Sequence, residues 1–224
     1  MSSDATQWTI IRAAADGSVS ARSEFARRYE SVIRAYLAAR WKSGPLRAEV
    51  DDAAQEVFVR ILRPDGPLDR ADPTRPGGFR AFLYGVVRNV ARSIERTRAQ
   101  QRRRHSEADL DALHVDESTL SKVFDRAWAQ ALLRDAALLQ LTRARVKGDD
   151  AVLRHRLLAT RYGENLPIRE IAARWKLDAA FLHREYPKAR EEFKRALMDV
   201  IREQQGGAPE SVEKECARLL DYFS

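Results

Sequence analysis

The chain holds a single cysteine, Cys216, among 224 residues, so it has no internal disulfide. Such usage fits a reducing compartment, the cytoplasm. No run approaches the roughly 18 apolar residues of a membrane span. The first six residues lack the charged and apolar regions of a signal peptide. The expectation is a cytoplasmic protein without a membrane partner. Histidine is sparse as well: His105, His114, His155 and His183 are dispersed, with no H-E-x-x-H, no C-x-x-C and no Gly-rich phosphate loop around them. No metal and no cofactor are expected. The carboxylates follow helical surface patterns, and no nucleophile comes with a recognisable partner, so no catalytic residue is assigned and the expected activity is binding. Strand signals are scarce too. Val and Ile recur at helical rather than alternating positions, which predicts an all-α fold.

Charge is abundant and unbalanced. Forty Lys and Arg against 33 Asp and Glu give a formal net charge of +7, and the sequence pI is about 9.8. The excess favours a polyanionic partner, the alternative being a solvated basic surface. The length allows one large domain or two small ones with real cores.

Periodicity predicts a short helix over 5–15. Another carries Phe25, Tyr29, Val32, Ile33, Tyr36, Leu37 and Trp41 on one core-facing stripe and is stopped by Ser43, Gly44 and Pro45. In 49–62, Val50, Ala54, Val57, Phe58 and Ile61 form a buried stripe. Asp52, Gln55, Glu56 and Arg60 occupy the other side. Asp52 and Glu56 are neighbours four apart, with Gln55 between them in projection, making a compact acidic and amide patch. A connector rich in Pro and Gly follows, holding Arg70 and Arg75. The next helix buries Phe79, Phe82, Leu83, Val86, Val87, Val90 and Ile94, then turns strongly basic as far as Arg104. Arg88, Arg92 and Arg96 stand in one i, i+4 row, a spacing that suits a phosphate backbone.

Composition reverses over 105–119, which has five acids, no Lys or Arg and few large apolar residues. It reads as a linker. Beyond it, 121–146 places Phe124, Trp128, Leu132, Leu138 and Leu139 on a helical stripe, and 153–162 is a further helix. Residues 166–190 form a helix-turn-helix pattern, with Pro167 opening the first helix, Ile168, Ile171 and Ala172 packing inward, and Asp178 capping the second. Two residues are unusual there. Lys176 at the turn demands either a left-handed lysine or a different turn. Pro187 either bends the second helix or divides it at Tyr186 and Pro187. A last amphipathic helix spans 210–223, serving either to cap the second domain or to bind a regulatory partner.

The pattern Asp52-x-x-Gln55-Glu56-Val57-Phe58, followed by Phe79-Arg-x-Phe-Leu-Tyr-x-x-x-Arg88-Asn89, resembles region 2 of bacterial sigma-70 family factors of the extracytoplasmic-function type. The helix-turn-helix is similar to region 4.2 of the same family. The resemblance covers most of 23–200. It implies a region 2-like domain over 1–104, an acidic linker over 105–119, a region 4-like domain over 120–204 and an extension over 205–224. It also implies that Asp52, Gln55 and Glu56 dock on the β′ clamp helices of core RNA polymerase, and that Arg88, Asn89, Arg92 and Arg96 engage the promoter −10 element. In the family, the loop between those helices captures an unstacked base. Here that loop is longer and richer in proline, and Arg70 and Arg75 are candidates by charge alone.

The second domain would hold the β flap and meet the −35 element through His183, Arg184 and Lys188, with Arg169 and Arg190 at phosphates. The linker would thread towards the polymerase active-site cleft, or else fold back on the basic helix. The implied function is promoter recognition and transcription initiation, with promoter DNA and an anti-sigma regulator as further partners. Two other readings stay open: a helix-turn-helix regulator acting without polymerase, and an RNA-binding adaptor using the arginine row.

Overall fold

The computed structural model describes residues 7–72, 75, 77–104, 115–205 and 209–221. Among them the chain is all-α, without a strand. The helices are α1 (Gln7–Ala15), α2 (Val19–Arg40), α3 (Val50–Ile61), α4 (Gly78–Arg104), α5 (Glu117–Lys147), α6 (Asp149–Gly163), α7 (Ile168–Trp175), α8 (Ala179–Gln205) and α9 (Pro209–Asp221), with 3-10 turns at Pro45–Glu49 and Pro67–Arg70. None of the described helices is long and apolar enough to cross a membrane. Contacts divide the chain into two compact units, 1–131 with 204–206, and 132–203 with 207–224.

In the first unit, local chemistry sets the turn between α1 and α2. Gly17 has φ +94°, a left-handed conformation that glycine adopts without a Cβ penalty. The amides of Asp16 and Ser18 bond back to the carbonyls of Arg12 and Ala13, and Ser18 Oγ accepts from the Ala21 amide at 3.3 Å, capping α2. Arg22 donates to the Ala14 carbonyl and to the Leu62 carbonyl, both at 3.0 Å, tying together the ends of α1 and α3.

The core is aromatic. Phe25, Tyr29 and Tyr36 of α2, Phe79 of α4 and Phe124 of α5 are all buried. Tyr29 stacks on Trp128 at 5.5 Å, and Tyr84 meets Phe124 edge-on at 5.2 Å. Each such side chain is worth roughly 1.5–3 kcal/mol on burial. Residues 120–131, placed with the second domain in the sequence reading, lie in this first unit because Leu120, Phe124 and Trp128 face its core. Of the Pro-rich connector, Leu68 is buried in a 3-10 turn, while Pro73, Thr74 and Pro76 are outside the described residues.

The second unit is built on the later part of α5, where Leu132, Ala136, Gln140 and Ala144 are buried. The expected stripe through Leu138 is corrected here, since Leu138 is 47% exposed. Gln140 takes the inward place because both ends of its amide are satisfied: Nε2 donates to the Ala189 carbonyl, and Oε1 accepts from His155 Nδ1, each at 3.2 Å. Leu157, Ile171, Ala172 and Leu182 make the core of the helix-turn-helix, with Trp175, Phe181 and Tyr186 packed against it. On α9, Val212, Cys216 and Leu219 are buried.

Candidate functional site

Three surfaces gather the residues singled out from the sequence. The first is on α3. Asp52 and Gln55 are exposed and Glu56 half-buried, while Ala53, Ala54, Val57 and Ile61 face the core. Glu56 accepts from Arg60 at 2.5 Å one turn on, and Asp51 pairs with Arg34 of α2 at 2.6 Å. Asp52 and Glu56 form one wall of an open groove of about 410 Å³ whose other wall includes Thr97, Arg98 and Gln101 of α4. Arg98 crosses its end to Glu49 at 2.8 Å. A surface of acid, amide and paired arginine suits a charged helical partner better than a small apolar ligand.

On α4, which holds the second surface, Asn89 and Arg96 are exposed, whereas Arg88 and Arg92 are half-buried. Both of these arginines face Glu117, the first residue of α5. Arg92 Nη2 donates to Glu117 Oε1 at 3.0 Å. Arg88 Nε lies 3.2 Å from Oε2 in an ion pair without hydrogen-bond alignment. Arg40 of α2 joins them, donating to Glu117 at 3.2 Å and to both oxygens of Glu95 at 2.7 and 2.9 Å. Tyr84 donates to Glu117 at 3.3 Å, and Trp41 Nε1 donates to Glu95 at 2.8 Å. Burial raises the Glu117 pKa, but the Arg40 hydrogen bond and the Arg88 charge outweigh it and hold the carboxyl below its ordinary range. Arg40, its side chain only 9% exposed, is held charged chiefly by its hydrogen bond to Glu95.

The position of Glu117 has a local cause. Asp116 accepts from the Ser118 and Thr119 amides at 3.1 and 3.3 Å, capping α5, and buried Leu120 and Phe124 anchor the next two turns. The sequence reading put Glu117 in the linker and missed Arg40 altogether. A lone acid beside a cap signal was the only sign available. Residues 105–114 of the acidic segment are outside the described residues.

The third surface is the helix-turn-helix. Lys176 resolves the turn as a left-handed residue, φ 56° and ψ 41°, and the Leu177 amide reaches back to the Ala172 carbonyl at 3.0 Å. Asp178 caps α8 through the Ala180 and Phe181 amides, both at 3.1 Å. Of the two alternatives for Pro187, division is overturned: α8 runs from Ala179 to Gln205 as one helix with Pro187 inside it. The capped first turn and the apolar face of Leu182, Tyr186 and Ala189 outweigh a cost of about 3 kcal/mol for an interior proline.

His183, Arg184, Pro187 and Lys188 all lie exposed on α8, as does Arg169 on α7. Lys188 pairs with Glu185 at 2.7 Å, and the Arg190 guanidinium lies 5.9 Å from the Tyr186 ring centre. Arg184, His183 and Arg169 make no ion pair among the described residues. Behind this face sits a cluster that sequence reasoning did not find: Arg154 of α6 holds Glu192 through two hydrogen bonds, 3.0 and 2.9 Å, and Glu185 through one of 3.1 Å.

Among the described residues no group of three His, Cys, Asp or Glu side chains is placed to hold a metal ion. No protein-family model matches the chain, and neither does any curated protein.

Proposed function

We propose that the chain is an extracytoplasmic-function-type sigma factor, a non-enzymatic subunit that joins core RNA polymerase in the cytoplasm and directs it to promoters. One observation carries the reading. An exposed acid and amide patch on α3, turned away from the core stripe, coexists in one chain with two separate basic helices, α4 and α8. A protein that only grips nucleic acid gains nothing from exposed carboxylates, which repel phosphate.

In this reading, Asp52, Gln55 and Glu56 dock on the β′ clamp helices. On α4, Asn89 pairs with a base of the −10 element, since its amide both donates and accepts, while Arg96 positions phosphate. Arg88 and Arg92 reach phosphate by exchanging the Glu117 carboxylate for it. On α8, His183 and Arg184 occupy the first two turns, the part of a recognition helix that meets base edges of the −35 element. The acidic segment 105–119 serves as the linker between the region 2-like and region 4-like parts, and an anti-sigma regulator is a further partner.

Transcription in vitro from a randomised promoter library, with core polymerase plus the purified protein, tests this. The expected outcome is enrichment of templates sharing two short elements at a fixed spacing. No initiation with a bacterial core enzyme, together with tight binding of the protein alone to one duplex sequence, would point instead to an operator-binding regulator.

A further inference from the structure

Pro187 sits in the ninth position of a 27-residue helix. It has no N–H to give the His183 carbonyl, so the helix loses one rung where the exposed face carries His183, Arg184 and Lys188. Something must keep the residues before the proline in line with those after it. On the other side of α8, Glu185 and Glu192 are seven residues apart, about 20° short of two full turns, so both point the same way. Pro187 lies about 200° round from Glu185, on the opposite side. One residue precedes the break and the other follows it. A single guanidinium holds both: Arg154 donates to Glu192 through Nε and Nη2 and to Glu185 through Nη1. All three side chains are largely buried, at 15%, 10% and 20% exposed for Arg154, Glu185 and Glu192. Little solvent therefore competes for the pair, and the planar fork fixes the spacing of the carboxylates in a way that an ammonium does not.

We infer that Arg154 is a positioning residue: it splints α8 across Pro187 and so keeps the exposed basic face continuous. Its consequence for DNA rests on the function proposed above; the splint itself does not.

Hydrogen exchange of the Lys188 to Glu191 amides in the full chain tests the splint, using R154M, P187A and the double variant. R154M is expected to speed exchange there by about tenfold, and by about twofold or less once P187A has restored the missing rung. R154K, which keeps the charge but not the fork, is expected between wild type and R154M and serves if R154M does not fold. Equal acceleration by R154M with and without the proline would overturn the inference, making Arg154 an ordinary brace between α6 and α8. No acceleration in either background would overturn it too. With holoenzyme, promoter affinity is expected to fall in R154M and recover in the double variant. Lack of promoter binding by wild type would instead count against the proposed function, leaving the exchange result to stand or fall separately.

Discussion

On α4, Arg88 and Arg92 share one carboxylate, Glu117, which a capped and aromatic-anchored helix start holds in place. On α8, Arg184 and His183 stand clear, and the acids closest in sequence, Glu185 and Glu192, are turned inward to Arg154. Both helices are basic, yet one has part of its charge engaged within the fold and the other has its counter-charges drawn behind it. A basic face becomes a binding face only where its acids are directed elsewhere. Spacing alone does not reveal that, because an i, i+4 row of arginines looks the same whether a phosphate or an internal carboxylate completes it.

Removing the anchor of Glu117 is the harshest way to break the contrast. Phe124 is fully buried against Tyr36, Tyr84 and Trp128, so Phe124→Ala is expected to lower unfolding free energy by about 3–5 kcal/mol in urea denaturation. Leu138→Ala, on the same helix but half exposed, is expected to cost less than about 1 kcal/mol. Comparable losses would mean that α5 is not anchored where the aromatic stack indicates.

Glu117→Gln addresses the contrast itself. It leaves Arg40, Arg88 and Arg92 without their shared charge, at a stability cost of about 1 kcal/mol for so solvent-accessible a carboxylate. If α4 lies on duplex phosphates, log-log salt dependence of holoenzyme binding should steepen by up to about two units, roughly 0.9 for each arginine released. An unchanged slope would show that these arginines never leave the fold. Base reading is expected to respond differently: Asn89→Ala should change the −10 preference and Arg184→Ala the −35 preference, each by about 1–3 kcal/mol of discrimination in a library selection. A uniform fall in activity from Asn89→Ala would assign that side chain a structural role.

The parts that were legible from the sequence rest on short-range chemistry. Asp178 two and three residues before the amides it caps, the left-handed turn at Lys176 and the apolar stripes of α2 and α4 follow from neighbours along the chain. What was misread depends on distant partners. Gln140 is inward and Leu138 outward because the amide meets Ala189 and His155, which no periodicity encodes. Glu117 passed for a linker acid because its partners Arg40, Arg88 and Arg92 are 77, 29 and 25 residues away in the chain. The continuity of α8 through Pro187 was likewise invisible, since the features that oppose the break lie on the cap, the core and α6.

Acid separates the two units more gently. Burial, with the charge of Arg145, lowers the His155 pKa from 6.5. A folded value below the unfolded one means stability present above about 6.5 and lost as pH falls through the lowered value. Glu117, also lowered, from 4.5, keeps its contribution above about 4.5 and loses it only as pH falls through its own depressed value. The first loss on acidification is therefore expected in the second unit, read by the fluorescence of Trp175 there. His155→Gln should remove that first step, and its persistence would assign the step to another group.

The proposed function itself turns on the α3 patch, and co-elution with core RNA polymerase in gel filtration tests it most directly. Wild-type protein is expected to elute with the core enzyme. Gln55→Ala combined with Glu56→Arg is expected to abolish co-elution while helicity and melting temperature stay nearly unchanged, since exposed substitutions usually cost little stability. Undiminished co-elution of that variant, or none for wild type, would contradict the account.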